Sequence, residues 1–175
     1  MVAAAGRNVE IRRMASSVLS ASREMAEEYR ATGDRRYESV PEDFSAYLEL
    51  LSGAACGLNL RPGIVPQSSF WLFRNGRMLG RINLRHSLTP ELEHEGGHIG
   101  YDIRPSERRK GYGTLILDLT LDKARSRGLR RVLLTCDTDN IGSAKIIERN
   151  GGKLGGKAIS NKSGKHISQY WIDLT

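Results

Sequence analysis

Apolar positions in the first third of the chain recur at helical spacing. Across 9–30, Ile11, Met14, Val18, Met25 and Tyr29 fall near a 3.6-residue period, with Ser22 filling a gap in the stripe, so a helix is expected. A second helix is expected from Pro41, whose fixed φ suits a first turn, with Glu42 and Asp43 at the positive end of its dipole. Phe44, Tyr47, Leu48 and Leu51 make its buried stripe, and Gly53 is expected to end it. The polar segment 32–40 reads as the connection between the two helices, and the Gly- and Pro-rich segment 54–66 as the loop that follows.

The period then changes to two. Segments 68–74 and 77–84 flank Asn75-Gly76, the strongest short hairpin signal in the chain. Residues 89–95 read as a polar loop and 97–103 as a further strand closed by Pro105. Residues 112–127 form an amphipathic helix on Leu115, Ile116, Leu119 and Ala124, with arginines in its last turn and Gly128 as its C-terminal cap. A strand at 130–135, a helix at 141–150 with Asn140 as N-cap, and strands at 153–159 and 166–174 across the turn 161–165 complete the chain. This order predicts one α/β (α+β) domain over 1–175: a mixed, mostly antiparallel sheet flanked by helices, with the first eight residues expected to be flexible.

Composition narrows the setting. The apolar share of 39% beside 27% charged residues belongs to a folded chain rather than a disordered one. No apolar run approaches the roughly 20 residues of a membrane span, and no secretory signal opens the sequence, so no membrane partner is expected. Two widely separated cysteines, Cys56 and Cys136, argue against a disulfide framework and for a cytoplasmic setting. The net charge of +7 would suit a polyanion, but the aromatic–basic interleaving of an RNA-binding face is absent, so no nucleic-acid partner is expected. One cluster stands apart from the scattered charge: Arg104, Arg108, Arg109 and Lys110 crowd against Gly111 and Gly113, where a phosphate-bearing ligand is expected.

That cluster passes from strand to helix. Its glycines allow a tight turn that exposes several N–H groups at a helix N-terminus, and pyrophosphate is the natural guest. A dinucleotide fingerprint fails because Ile116 stands where a third glycine belongs. A P-loop at Gly151, Gly156 and Lys157 fails because Ala158 replaces the hydroxyl and the context runs from helix to strand.

The spacing Arg108-x-x-Gly111-x-Gly113, the Ile103-x-Pro105 strand end before it, and the later Asn140, Ser143 and Glu148-Arg149-Asn150-Gly151 resemble the GNAT N-acetyltransferase superfamily. The resemblance implies acetyl-CoA as co-substrate and no metal. It implies that the segment around Ile103 meets the pantetheine arm in a gap between strand 97–103 and strand 130–135. It also implies that Arg108, Arg109, Lys110, Gly111, Tyr112, Gly113 and Thr114 hold the diphosphate, with Asn140 and Ser143 near the coenzyme. Many members place a tyrosine seven residues after the asparagine as acid for the thiolate; here that position is Ile147, which leaves Ser143, Tyr101 or water to serve.

For the base, strand alternation puts Glu95, Gly97, Ile99, Tyr101 and Ile103 on one face and His98, Gly100 and Asp102 on the other. Glu95 is the first candidate and His98 the second, since a bulge between Gly96 and Gly97 would exchange the faces. Each also has a bland reading, Glu95 as a solvated loop charge and His98 as a hydrogen-bonded structural residue. His94-Glu95-Gly96-Gly97-His98 also spells the H-E-x-x-H of zinc hydrolases, but that chemistry needs a helix, and two glycines cost one about 1 kcal/mol each.

Phe70, Trp71 and Phe73 could line a substrate slot or fill the core, while Tyr37, Glu38 and Asp43 lie where such enzymes form the acceptor mouth. A small-molecule amine is the first acceptor considered, an aminoglycoside among them. The compact chain is similar to small bacterial aminoglycoside 2′-N-acetyltransferases of the kasugamycin-modifying type, which implies antibiotic resistance. The alternative is a protein amine, lysine or N-terminus. A homodimer is left open.

Overall fold

A computed structural model describes residues 2–3, 9–12, 18–34 and 43–175. In chain order the elements are β1 (Val2–Ala3), β2 (Val9–Arg12), α1 (Val18–Ala31), α2 (Phe44–Cys56), β3 (Gln67–Arg74), β4 (Arg77–Arg85), α3 (Pro90–His94) and β5 (Ile99–Ile103). A 3₁₀ turn (Pro105–Glu107) then leads to α4 (Tyr112–Ser126), β6 (Arg131–Asp137), α5 (Ile141–Arg149), β7 (Lys153–Ile159) and β8 (His166–Asp173). The α/β class and the largely antiparallel pairing are as expected. The strands, however, divide into two antiparallel sheets, β1-β2-β3-β4-β5 and β6-β8-β7.

Two apolar layers hold the helices to these sheets. Alternation along β3 sends Phe70 and Leu72 to one face, where they join Ile82, Leu84 and Ile99 against Ile116, Leu117 and Leu121 of α4 and Ile147 of α5. It sends Trp71 and Phe73 to the other face, where Val18, Met25 and Tyr29 of α1 close over them, with Tyr47, Leu48 and Leu51 of α2 alongside. Phe70, Trp71 and Phe73 are therefore core residues with at most 7% of their surface exposed, and the substrate-slot reading is corrected.

Three local expectations are also revised. The helix expected over 9–30 does not include Val9–Arg12, which is a strand paired with β3, Ile11 opposite Leu72; its described part is Val18–Ala31, and residues 13–17 lie outside the described residues. Four residues fit either period, and the open edge of β3, with its unpaired N–H and C=O groups, decides between them. Helix α2 runs past Gly53 to Cys56 and ends where Gly57 turns left-handed at φ +74°, its N–H reaching Ala54 O. The expected loop 89–95 contains a short helix: Pro90 occupies its first turn and Thr89 caps it, Oγ1 accepting from Leu92 N at 3.3 Å. The expected start of α2 at Pro41 and Glu42, the loop positions 35–40, and residues 1 and 4–8 of the expected flexible start lie outside the described residues.

Candidate active site

The site is built where β5 hands the chain to α4. Arg104 N–H bonds to Leu79 O and Arg85 N–H to His98 O, so the His98 carbonyl, the backbone groups of Gly100 and Asp102, and the Arg104 amide are spent on β4. The amides of Ile99, Tyr101 and Ile103 consequently face the other edge of β5, toward β6. There the two strands touch at one point. His98 N–H donates to Leu133 O at 2.7 Å, and Leu133 N–H donates to His98 Nδ1 at 2.9 Å. Beyond it no ladder joins β5 to β6, and the sheets part into a gap.

Glycines make that single contact feasible. Gly96 and Gly97 have φ of +114° and +62°, and a Cβ on Gly97 would run into the Leu133 carbonyl. Arg85 pins the turn by donating Nη1 to Gly96 O and Gly97 O at 3.2 and 2.8 Å. Burial depresses the Arg85 pKa, and the charge is held there by carbonyl dipoles.

After β5 the chain bends into the phosphate loop. Arg109 is left-handed at φ +62° and Gly111 at +85°, and α4 starts at Tyr112. Among the described residues, the amide N–H groups of residues 109–114 have no acceptor, and Leu115 N–H to Gly111 O is the first bond of the helix. Six free donors at a helix N-terminus form a concave anion cradle. Gly113 serves packing instead: a Cβ there would overlap Ile146 of α5.

The basic residues divide. Arg104, expected in the phosphate cluster, is 4% exposed and spent elsewhere: its Nε lies 2.6 Å from Glu28 and its Nη2 3.3 Å from Glu24, which tie α1 to the loop. Glu28 also accepts from Ser106 N–H. Burial pushes its carboxyl pKa up, but the hydrogen bonds from Ser106 and Arg104 outweigh that and hold it below the ordinary value. Arg108, Arg109 and Lys110 are exposed beside the cradle. Arg108 Nε donates to Ile103 O at 3.2 Å and its guanidinium lies over the Tyr29 ring, while Lys110 pairs with Glu107 at 3.0 Å. Tyr29, 74 residues away in sequence, donates its hydroxyl to the same Ile103 carbonyl at 2.9 Å. No local sequence signal marks that contact. The Tyr112 side chain turns into the core and accepts from Arg74, so the residue contributes only its amide to the loop.

Across the gap, Asn140 Oδ1 caps α5 by accepting from Ser143 N–H, and the Tyr101 hydroxyl lies 3.0 Å from Ser143 Oγ. Burial raises the Tyr101 pKa to about 12, so the phenol keeps its proton at neutral pH. Cys136 stands beside this pair, its thiol pKa also raised by burial.

Glu95 terminates α3 and does not continue the β5 alternation, because the two left-handed glycines intervene. Its Oε1 accepts from Ser160 Oγ at 2.8 Å, and Ser160, 2% exposed, also accepts from the amides of Lys162 and Ser163 in the β7–β8 turn. His98 has its Nδ1 lone pair committed to Leu133, and burial, with Arg85 and Arg131 nearby, lowers its pKa to about 4. That geometry gives His98 a structural task. His94 turns its Nε2 to Ile159 O. The two histidines therefore do not converge, and no cluster among the described residues could hold a metal ion, which removes the zinc-hydrolase alternative. Asp43 is spent as the α2 N-cap, accepting from Ala46 N–H, and Tyr37 and Glu38 lie outside the described residues.

Comparison with known proteins agrees with this geometry. Residues 12–153 match a family model described as an acetyltransferase (GNAT) domain. No curated protein sequence matches significantly. Among solved structures, the chain is similar to a Salmonella typhimurium acetyltransferase that modifies the N-terminal serine of 50S ribosomal subunit protein L7/L12, with 17% identity, TM-score 0.69 and 95% of each chain covered. It is similar to the ribosomal-protein-S5-alanine acetyltransferase of Vibrio fischeri, with 16% identity, TM-score 0.73, and 99% of this chain and 97% of that one covered. A Salmonella typhimurium protein solved with its cofactor acetyl-CoA gives 15% identity, TM-score 0.67, and 97% and 95% coverage. Among the described residues, no helix is long and apolar enough to cross a membrane.

Proposed function

Since the chain belongs to the acetyltransferase (GNAT) domain family and is an acetyl-CoA-dependent acetyltransferase, we propose that its acceptor is the N-terminal amine of a protein or peptide. The observation that carries the cofactor half of this reading is the set of six unpartnered amides at 109–114 beside Arg108, Arg109 and Lys110. That donor set fits a diphosphate, and the gap-facing amides of Ile99, Tyr101 and Ile103 fit a pantetheine arm alongside β5. Bound there, acetyl-CoA supplies an activated acetyl thioester.

The chain's own residues then have three tasks. Acidic Glu91, Glu93 and Glu95 on and after α3 attract a cationic amine to the mouth. Glu95, its direction set by Ser160, accepts the proton that the amine sheds as its nitrogen joins the acetyl carbon. Tyr101, protonated and bonded to Ser143, gives a proton to the departing sulfur, and Asn140 and Ser143 flank the coenzyme. The acidic rim would also suit a polycationic aminoglycoside, the acceptor the sequence suggests first. The L7/L12 and S5 acetyltransferases among the structural relatives favour a protein amine.

The test is Glu95→Gln, with acetyl transfer to N-terminal peptides followed by mass spectrometry. We expect kcat/KM at pH 7 to fall about a hundredfold or more, with loss of the acidic limb of the pH–rate profile and unchanged acetyl-CoA affinity. An unaltered profile would refute Glu95 as the base.

A further inference from the structure

We propose that Arg81 selects the acceptor, by binding a carboxylate carried close to the amine that is acetylated. The proposal rests on the acetyl-transfer reading above and deepens it. Cross-strand pairs share a face, so the register Ser69–Asn83–Gly100 and Trp71–Arg81–Asp102 places Arg81, Asn83, Gly100 and Asp102 together on the face of the sheet opposite α4. Trp71 in this row is covered by α1 and α2. Gly100 is not: it is exposed, and a Cβ there would meet no atom within 4 Å. The strand whose other edge faces the cofactor gap thus presents an open patch of floor beside Arg81.

The floor is rich in donors. Among the described residues, the buried Arg81 Nε has no hydrogen-bond partner. Asn83 spends its Oδ1 on Ser69 Oγ at 2.8 Å, which leaves its NH₂ group as the part able to meet a ligand. A guanidinium deprived of water at Nε and lacking an acceptor there is an unfavourable arrangement for the fold alone. A carboxylate supplies the missing acceptor in the planar geometry that arginine prefers. With acidic Glu91, Glu93 and Glu95 on and after α3 and the Arg81 cation on the β4–β5 face, where Asp102 is its cross-strand neighbour, the proposed acceptor region carries charges of both signs. It fits an acceptor with an amine at one end and a carboxylate at the other. The carboxylate has two sources: an acidic side chain following a protein N-terminus, or the α-carboxylate of a free amino acid.

The experiment uses the full chain, acetyl-CoA and matched acceptors: N-terminal peptides with Glu or Gln at the second position, a free amino acid and its amide, and an aminoglycoside as polycationic control. We expect the carboxylate member of one pair to be favoured about tenfold or more in kcat/KM, and the identity of that pair names the source. Arg81→Gln should abolish the preference by slowing the carboxylate member alone, Arg81→Lys should restore part of it, and KM for acetyl-CoA should stay unchanged. Asn83→Asp, which replaces a donor with an anion on the same floor, should shift the preference toward the neutral members. Equal rates within both pairs, or a preference that survives Arg81→Gln, would overturn the proposal. Failure of the wild-type protein to acetylate any of these amines while still binding acetyl-CoA would overturn the acceptor reading itself, and the proposal with it.

Discussion

Replacing Gly111 with alanine separates cofactor binding from folding. At φ +85° an L-residue costs about 1–2 kcal/mol, yet a Cβ there meets nothing within 4 Å, so no packing penalty is added. The loss of stability should stay near that figure, a fall in Tm of about 2–8 °C for a chain of this size. Binding should suffer more. A loop that relaxes away from the left-handed region turns the amides of 109–114 out of convergence, and each hydrogen bond to a charged group is worth about 1.5–3 kcal/mol. Losing two such bonds raises Kd for acetyl-CoA about a hundredfold or more, by isothermal titration calorimetry. Gly113→Ala is the control. Its backbone is helical, and its Cβ meets the Ile146 side chain, so its cost should appear in the melting curve through α4–α5 packing rather than in Kd. Normal acetyl-CoA affinity in Gly111→Ala would refute the cradle.

Two further outcomes follow from buried charge. His98 has a folded-state pKa of about 4 against an ordinary 6.5, so the unfolded chain binds its proton first. Stability is complete above pH 6.5 and falls by about 2–3 kcal/mol as pH drops toward 4. His98→Gln, which can still accept from Leu133 N–H, should remove that segment from a urea-denaturation profile. It should leave the loss below pH 4.5 that depressed Glu28 contributes, since a carboxyl of lowered pKa stabilises above its unfolded value. A wild-type profile in His98→Gln would contradict the buried neutral imidazole. Arg104→Ala should cost about 2–4 kcal/mol in urea, because Glu28 and Met78 O lose their partner, and Arg104→Met should cost less. Equal losses in the two variants would show that the Arg104 stem adds nothing and that its charge alone anchors α1.

The sequence by itself determined the elements whose signals are local. Asn75-Gly76 set the β3–β4 hairpin, Asn140 capped α5, and the Arg108-x-x-Gly111-x-Gly113 bend marked the anion cradle before α4. In each case a turn, a cap or a left-handed glycine acts within a few residues, so its cause can be read in order along the chain. Tertiary structure decided what depends on distant partners. Val9–Arg12 became a strand because β3 had an edge to offer, and Arg104 left the phosphate cluster because Glu24 and Glu28 arrived on α1. Glu95 was aimed by Ser160, and His98 was tied down by Leu133. Arg81 Nε was left without a hydrogen-bond partner among the described residues. Spacing along a chain records which groups are neighbours on one element. Only packing determines which of those groups have already met a partner, and a site is made from the ones that have not.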